Sequence, residues 1–237
     1  MSPEPSEKIK IVSAMGALLM MSGVSQAADL YTPAPMPAYT GGWYFSGFGG
    51  ANWLDDTSFN IDPAAPVIVD NDYDAGFVVG GAIGYDMGQA IGPFGVRFEA
   101  ELSYRDNDVN SHSIGGGPAL AGSFGSTSAL AGMGNILFDL NTGSPFTIYG
   151  GGGLGVANVE FDGHGATGPG TVMNDDDTVF AWQAIAGVGY EIASNIVLDV
   201  QYRYFNASDV SLTSVSGASS STDYKSHAVL GGIRFKF

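Results

Sequence analysis

Three histidines, His112, His164 and His227, are the side chains of this 237-residue chain whose ordinary titration lies nearest neutral pH. Set beside a serine on one face, such a ring could act as general base to a nucleophile, the chemistry of acyl transfer or hydrolysis. Ser111 and Ser113 flank His112, and Ser226 precedes His227. In an extended strand adjacent side chains point to opposite faces, and no His-x-Ser spacing that would share a face occurs. His112 is the best-placed candidate base, yet no residue is assigned as catalytic. Asp70-Asn71-Asp72-Tyr73-Asp74 begins like a calcium loop, but Ala75 stands where glycine is needed and Gly81 where the closing glutamate should be. With no cysteine either, no metal or cofactor site is expected.

The remaining charged side chains follow a period of two. From Phe94 to Arg105, Phe94, Val96, Phe98, Ala100, Leu102 and Tyr104 fall on one face of a strand, with Arg97, Glu99, Glu101 and Arg105 on the other. Ile196, Leu198, Val200, Tyr202 and Tyr204 alternate in the same way with Asp199 and Arg203. Collected over the chain, the polar face holds Asp86, Arg97, Glu99, Glu101, Arg105, Asp139, Glu191, Asp199, Arg203, Arg234 and Lys236. Five basic and six acidic groups nearly cancel, which suits a self-paired interior better than an ion pathway biased to one sign.

Strands that could present these faces are expected near 42–53, 75–88, 94–106, 125–140, 146–160, 179–193, 196–207 and 224–237. Tight links at 88–93, 141–145 and Ser194-Asn195 alternate with long polar stretches near 54–74, 107–124, 161–178 and 208–223. An even strand number with short turns at one end and long loops at the other predicts an all-β, eight-stranded, antiparallel, up-and-down transmembrane barrel. Aromatics mark both ends of the apolar faces. Trp43, Phe94, Phe146, Tyr190 and Phe235 lie toward the short turns, and Trp53, Phe77, Tyr104, Phe180, Trp182 and Tyr204 toward the long loops, as two interfacial girdles would require.

Residues 1–27 read as a secretory signal peptide. Lys8 and Lys10 give a basic start, Ile11 to Val24 an apolar run too short to span a bilayer, and Ser25-Gln26-Ala27 a small-residue site with cleavage expected after Ala27. Residues 28–41, rich in proline, are expected to be a periplasmic tether, and 42–237 the barrel. The net charge is −16, which argues against nucleic acid as a partner. Removing the signal takes away two basic and two acidic residues and leaves that charge unchanged. The excess lies in the long loops, with Asp55, Asp56, Asp62, Asp70, Asp72 and Asp74 in or beside the first and Glu160, Asp162, Asp175, Asp176 and Asp177 in or beside the third.

FGVRFEAELSYRDND, ALAGMGNILFDL, FTIYGGGGLGVANV and VFAWQAIAGVGYEIASNIVLDVQYRYF, taken in order, resemble the outer-membrane surface-antigen family of eight-stranded barrels, porin-like and opacity-like relatives of the OmpA-type membrane domain. The resemblance spans nearly all of 43–237 and implies a barrel of monomer size with variable surface loops and no assigned enzymatic activity. The terminal Phe237, on one face with Phe235 and Ile233, resembles the signal read by the barrel assembly machinery. The expected role is therefore non-enzymatic: outer-membrane integrity and surface recognition in a Gram-negative bacterium, among membrane lipids and lipopolysaccharide, with an extracellular ligand for the loops. The alternatives are a narrow or gated porin-like channel and a lipid A-modifying enzyme.

Overall fold

The computed structural model describes residues 41–65, 67–91 and 94–237, so the expected signal peptide and nearly all of the tether lie outside the described residues. Ten strands follow in chain order: β1 (Gly42–Leu54), β2 (Thr57–Asn60), β3 (Ile68–Tyr73), β4 (Gly76–Ile91), β5 (Phe94–Ile114), β6 (Ser123–Asn141), β7 (Phe146–Ala166), β8 (Gly170–Ala193), β9 (Ile196–Thr213) and β10 (Ser219–Lys236). Eight of them close a ring, β1-β4-β5-β6-β7-β8-β9-β10 and back to β1, every pairing antiparallel. Closure leaves the wall without an unpaired edge, as a lipid-embedded backbone requires. Tyr44↔Lys236 through Leu54↔Ser226 is the register that joins first strand to last.

The period of two sorts the wall. Leu102, Leu154 and Val200 are 60–63% exposed on the outside, whereas their neighbours Glu101 and Gln201 are 5% and 8% exposed. An apolar outside around a polar inside inverts a soluble core and is stable only where hydrocarbon replaces water.

The upper ends differ from expectation. The four long stretches are not free loops: β5–β10 run several residues past the outer aromatic level, and the links β5–β6, β7–β8 and β9–β10 shorten to 115–122, 167–169 and 214–218. The first stretch contains β2 and β3, a hairpin that pairs onto the upper part of β5 through Val69↔Ile114 and Asn71↔His112. The reason is a second, apolar core. Phe59, Val69, Phe161, Met173, Val210 and Leu212 point inward above the polar lumen and are at most 2% exposed. Burying them stabilises the extensions, while the Asp, Ser and Thr between them face out and gave these segments their loop-like composition.

Candidate functional site

Inside the ring, β5 and β6 set Arg97 against Asp139 in a two-pronged ion pair, Nε to Oδ2 at 2.6 Å and Nη2 to Oδ1 at 2.9 Å. Nη1 of Arg97 also reaches Glu99 at 3.4 Å, and the guanidinium lies 4.8 Å from the Tyr149 ring centre. Arg234 holds Asp199 at 2.7 Å toward the periplasmic end. Arg203 holds Glu101 at 2.5 Å and lies 4.1 Å from the Phe48 ring. Asn135 donates to Glu101 at 2.8 Å and to Glu99 at 3.5 Å, and Gln183 donates to Asn135 at 2.8 Å, so the Arg97 and Arg203 pairs are joined by hydrogen bonds, while Arg234 joins them through the Tyr44 and Tyr149 rings. Asp86 accepts the amide of Gly88 at 2.8 Å. Charges this buried are tolerable because each is offset at short range, and forked arginine–carboxylate geometry is the strongest form of that offset.

Three of the expected lumen charges behave otherwise. Glu191 and Lys236 pair with each other at 2.8 Å, but at the periplasmic mouth, where Glu191 is 41% exposed, so they form part of the rim. Arg105 is 2% exposed, yet among the described residues it makes no ion pair. Its guanidinium lies 3.6 Å from the Phe205 ring centre and donates to Ser103 at 3.1 Å. Ring contact and a hydroxyl replace the carboxylate here because the neighbouring Glu101 is already taken by Arg203.

The free space left is small. A cavity of about 20 Å³ lies among Ser46, Arg97, Tyr149, Asp199 and Arg203, room for about one water. A wider vestibule of about 250 Å³ opens beside Tyr44, Asp86, Arg234 and Lys236 toward the periplasmic end. Above the polar stack the apolar core of the upper extension fills the ring.

The aromatic residues of the two expected girdles lie on the outer surface, Trp43, Phe94, Phe146 and Tyr190 at one level and Trp53, Phe77, Phe180 and Trp182 at the other. Trp43 packs edge-on against Tyr85 at 5.3 Å, Phe45 stacks on Phe235 at 5.0 Å, and Phe146 meets Tyr190 at 4.7 Å. At the opposite end Trp182 meets Tyr204 at 5.3 Å and Phe77 meets Tyr104 at 6.1 Å. Phe237 is exposed, and its amide donates to the Trp43 carbonyl at 3.0 Å.

The histidines are not disposed for catalysis. His227 faces outward with its Nδ1 2.6 Å from the Tyr202 hydroxyl, while Ser226 faces inward and is 1% exposed. His112 is buried in the upper core, Nδ1 2.7 Å from Asn71 Oδ1 and Nε2 3.0 Å from the Phe124 carbonyl. His164 is buried beside it, with ring centres 5.5 Å apart. Burial, helped by the neighbouring His112, pushes the His164 ring down to about 4.

Sequence reasoning passed over Tyr44, Phe48 and Tyr149, three large inward rings on which the arginines rest. Their signal was available: each falls on the polar side of the alternation, two positions from a charged or small residue. His112 and His164 carried no such signal, because β-bulges beneath them reverse the alternation. The register slips between Asp72↔Ser111 and Tyr73↔Val109, and again between Phe161 and His164, where Gly163 takes φ +59°.

Residues 15–237 match the family model for the outer membrane protein beta-barrel domain. Outer membrane protein PagN of Salmonella typhimurium is 31% identical over 84 residues, 34% of this chain and 35% of PagN, so the alignment spans about a third of that relative. Among solved structures, the outer membrane protein OprG from Pseudomonas aeruginosa is similar at a TM-score of 0.51 and 15% identity, covering 84% of this chain and 98% of OprG. The outer membrane protease OmpT from Escherichia coli is similar at 0.51 and 10% identity, covering 83% and 97%. Likeness at such identities concerns the fold.

Proposed function

Because the chain belongs to the outer membrane protein beta-barrel domain family and resides in the outer membrane of a Gram-negative bacterium, we propose that it is a non-enzymatic barrel serving membrane integrity and surface recognition. The observation that carries this reading is the stacked lumen: Arg97–Asp139, Arg203–Glu101 and Arg234–Asp199 cross the interior, with space for about one water between them. A conducting pore needs a continuous water column, and a lid of apolar side chains lies over this stack.

The cap built from the strand extensions and the β2–β3 hairpin is the surface offered to an extracellular ligand, and the girdles seat the wall among lipids and lipopolysaccharide. In this reading residues 1–27 direct export with cleavage after Ala27, residues 28–41 tether the barrel on the periplasmic side, and Phe237 is read by the assembly machinery. Against a lipid A-modifying enzyme stand the positions of the histidines: two rings are enclosed in the cap core and the third is turned outward onto Tyr202.

Reconstitution of the full chain into planar bilayers tests the reading. The expected result is no stable single-channel opening, and steady ohmic openings would transfer the assignment to a narrow channel. Mass spectrometry of lipid A incubated with the protein covers the enzymatic alternative, with an unchanged mass expected.

A further inference from the structure

The hairpin β2–β3 is fastened to the barrel by more than backbone pairing. Asn71 Nδ2 donates to the Thr57 carbonyl at 3.0 Å and to Thr57 Oγ1 at 3.1 Å, and Thr57 Oγ1 lies 2.8 Å from the Tyr73 hydroxyl. From β6, Thr127 Oγ1 donates to the Tyr73 hydroxyl at 3.1 Å and lies 2.9 Å from His164 Nε2 on β7. Asn71 Oδ1 meets His112 Nδ1 on β5. One buried polar chain therefore links five strands and has a histidine at each end.

Donor bookkeeping fixes the protons. Asn71 cannot be turned over, since its oxygen would then face the Thr57 carbonyl; its Oδ1 must face His112. His112 consequently faces an oxygen at each ring nitrogen, Asn71 Oδ1 and the Phe124 carbonyl. His164 is the opposite case. Its Nε2 donates to the Ser126 carbonyl at 3.0 Å, while its Nδ1 is buried with no partner, so the neutral ring fits and a second proton would sit on an enclosed, unbonded nitrogen.

No carboxylate bonds either ring among the described residues. The titratable group inside the network is Tyr73; Asp56, Asp70 and Asp72 around β2 and β3, Asp108 on β5, Asp162 on β7 and Asp175 on β8 face outward. The wall also makes room for this ring: a Cβ at Gly125, which takes φ +135°, would stand 2.8 Å from His164 Cα and 3.1 Å from its ring.

We propose that His164 is a proton-reading latch on the surface hairpin: its neutral ring holds Thr127 and the Ser126 carbonyl in the chain of bonds that reaches Tyr73 and Thr57, and a second proton on its enclosed Nδ1 undocks the hairpin. The low titration of His164 sets the acid pH at which the latch opens. This goes beyond the structural role above and does not depend on whether the lumen conducts.

The test uses the full chain refolded in detergent micelles, with ¹⁵N NMR of the imidazoles and site-resolved amide exchange. At pH 7 His164 is expected to give the Nε2-protonated neutral pattern, with outward-facing His227 as internal reference. A doubly protonated pattern for His164 at pH 7 overturns the proposal. On acidification from pH 6 to pH 4, protection of the β3 amides is expected to fall about tenfold relative to β9 after correction for intrinsic exchange, and His164→Gln is expected to abolish that fall. Unchanged protection in the native chain, or an equal fall in a His164→Gln barrel that keeps its heat-dependent gel shift, overturns it. Should that variant not fold, the imidazole spectra of the native chain decide alone.

Discussion

Tyr44 on β1 lies over the backbone of Gly84 on β4, so that a Cβ at position 84 would run into the Tyr44 ring. Tyr149 covers Gly187 in the same way. Inward glycines are thus the recesses into which the lumen's large rings fold, and they let two tyrosines share a narrow ring with two arginines, Arg97 and Arg234.

Gly84→Ala and Gly187→Ala are therefore expected to destabilise the barrel by about 1–3 kcal/mol each, the usual cost of overpacking. Gly47→Ala, on the lipid side with nothing within 4 Å of the added carbon, is expected to be near neutral. Urea titration of barrels folded into vesicles measures the difference.

Asp139→Ala leaves the Arg97 guanidinium enclosed and without its main partner, and about 3–5 kcal/mol of stability is expected to go with it. Arg97→Met combined with Asp139→Leu removes both charges and is expected to lose less than the single change. A double variant less stable than Asp139→Ala would contradict the view that the pair is retained against its own desolvation.

Val200→Arg places a charge in the hydrocarbon, 63% exposed on the outer wall between the two girdles. A loss of about 2–4 kcal/mol is expected near the membrane midplane. Gln201→Glu, on the inner face beside Arg203, is expected to be far milder in the same vesicle assay.

For acid stability the sign follows from His164. Its ring titrates at about 4 when folded against an ordinary 6.5, so the folded chain binds fewer protons and its stability is complete above pH 6.5. That contribution falls as the pH drops toward 4, by up to about 3 kcal/mol. Equilibrium unfolding from pH 7 to pH 4 is expected to lose this slope in His164→Gln.

The wall was legible because its alternation is uninterrupted: Phe98 and Leu198 point to lipid, Arg97 and Asp199 to the lumen, as the period of two requires. The upper third was not. There a bulge at Ser208–Asp209 shifts the inward face of β9 by one residue onto Val210 and Leu212, and the Ser, Thr and Asp between them lower the apolar content to that of a loop. Bulges near Asn110 and Gly163 likewise shift the period by one residue, so that His112 and His164 turn inward against the count. The ion-pair partners followed from strand order and face, whereas the isolation of Arg105 depends on Arg203 having taken Glu101, a matter of side-chain reach that no spacing encodes.

The hairpin and the strand extensions present residues to the exterior that are distant in sequence, such as Asp70 beside Gly116 and Asp177 beside Ser211. An antibody or phage tail that grips this crown must touch several of these segments at once. Sera raised against boiled protein or short peptides should then fail on intact cells, and escape should arise from changes scattered along the chain that meet on one patch.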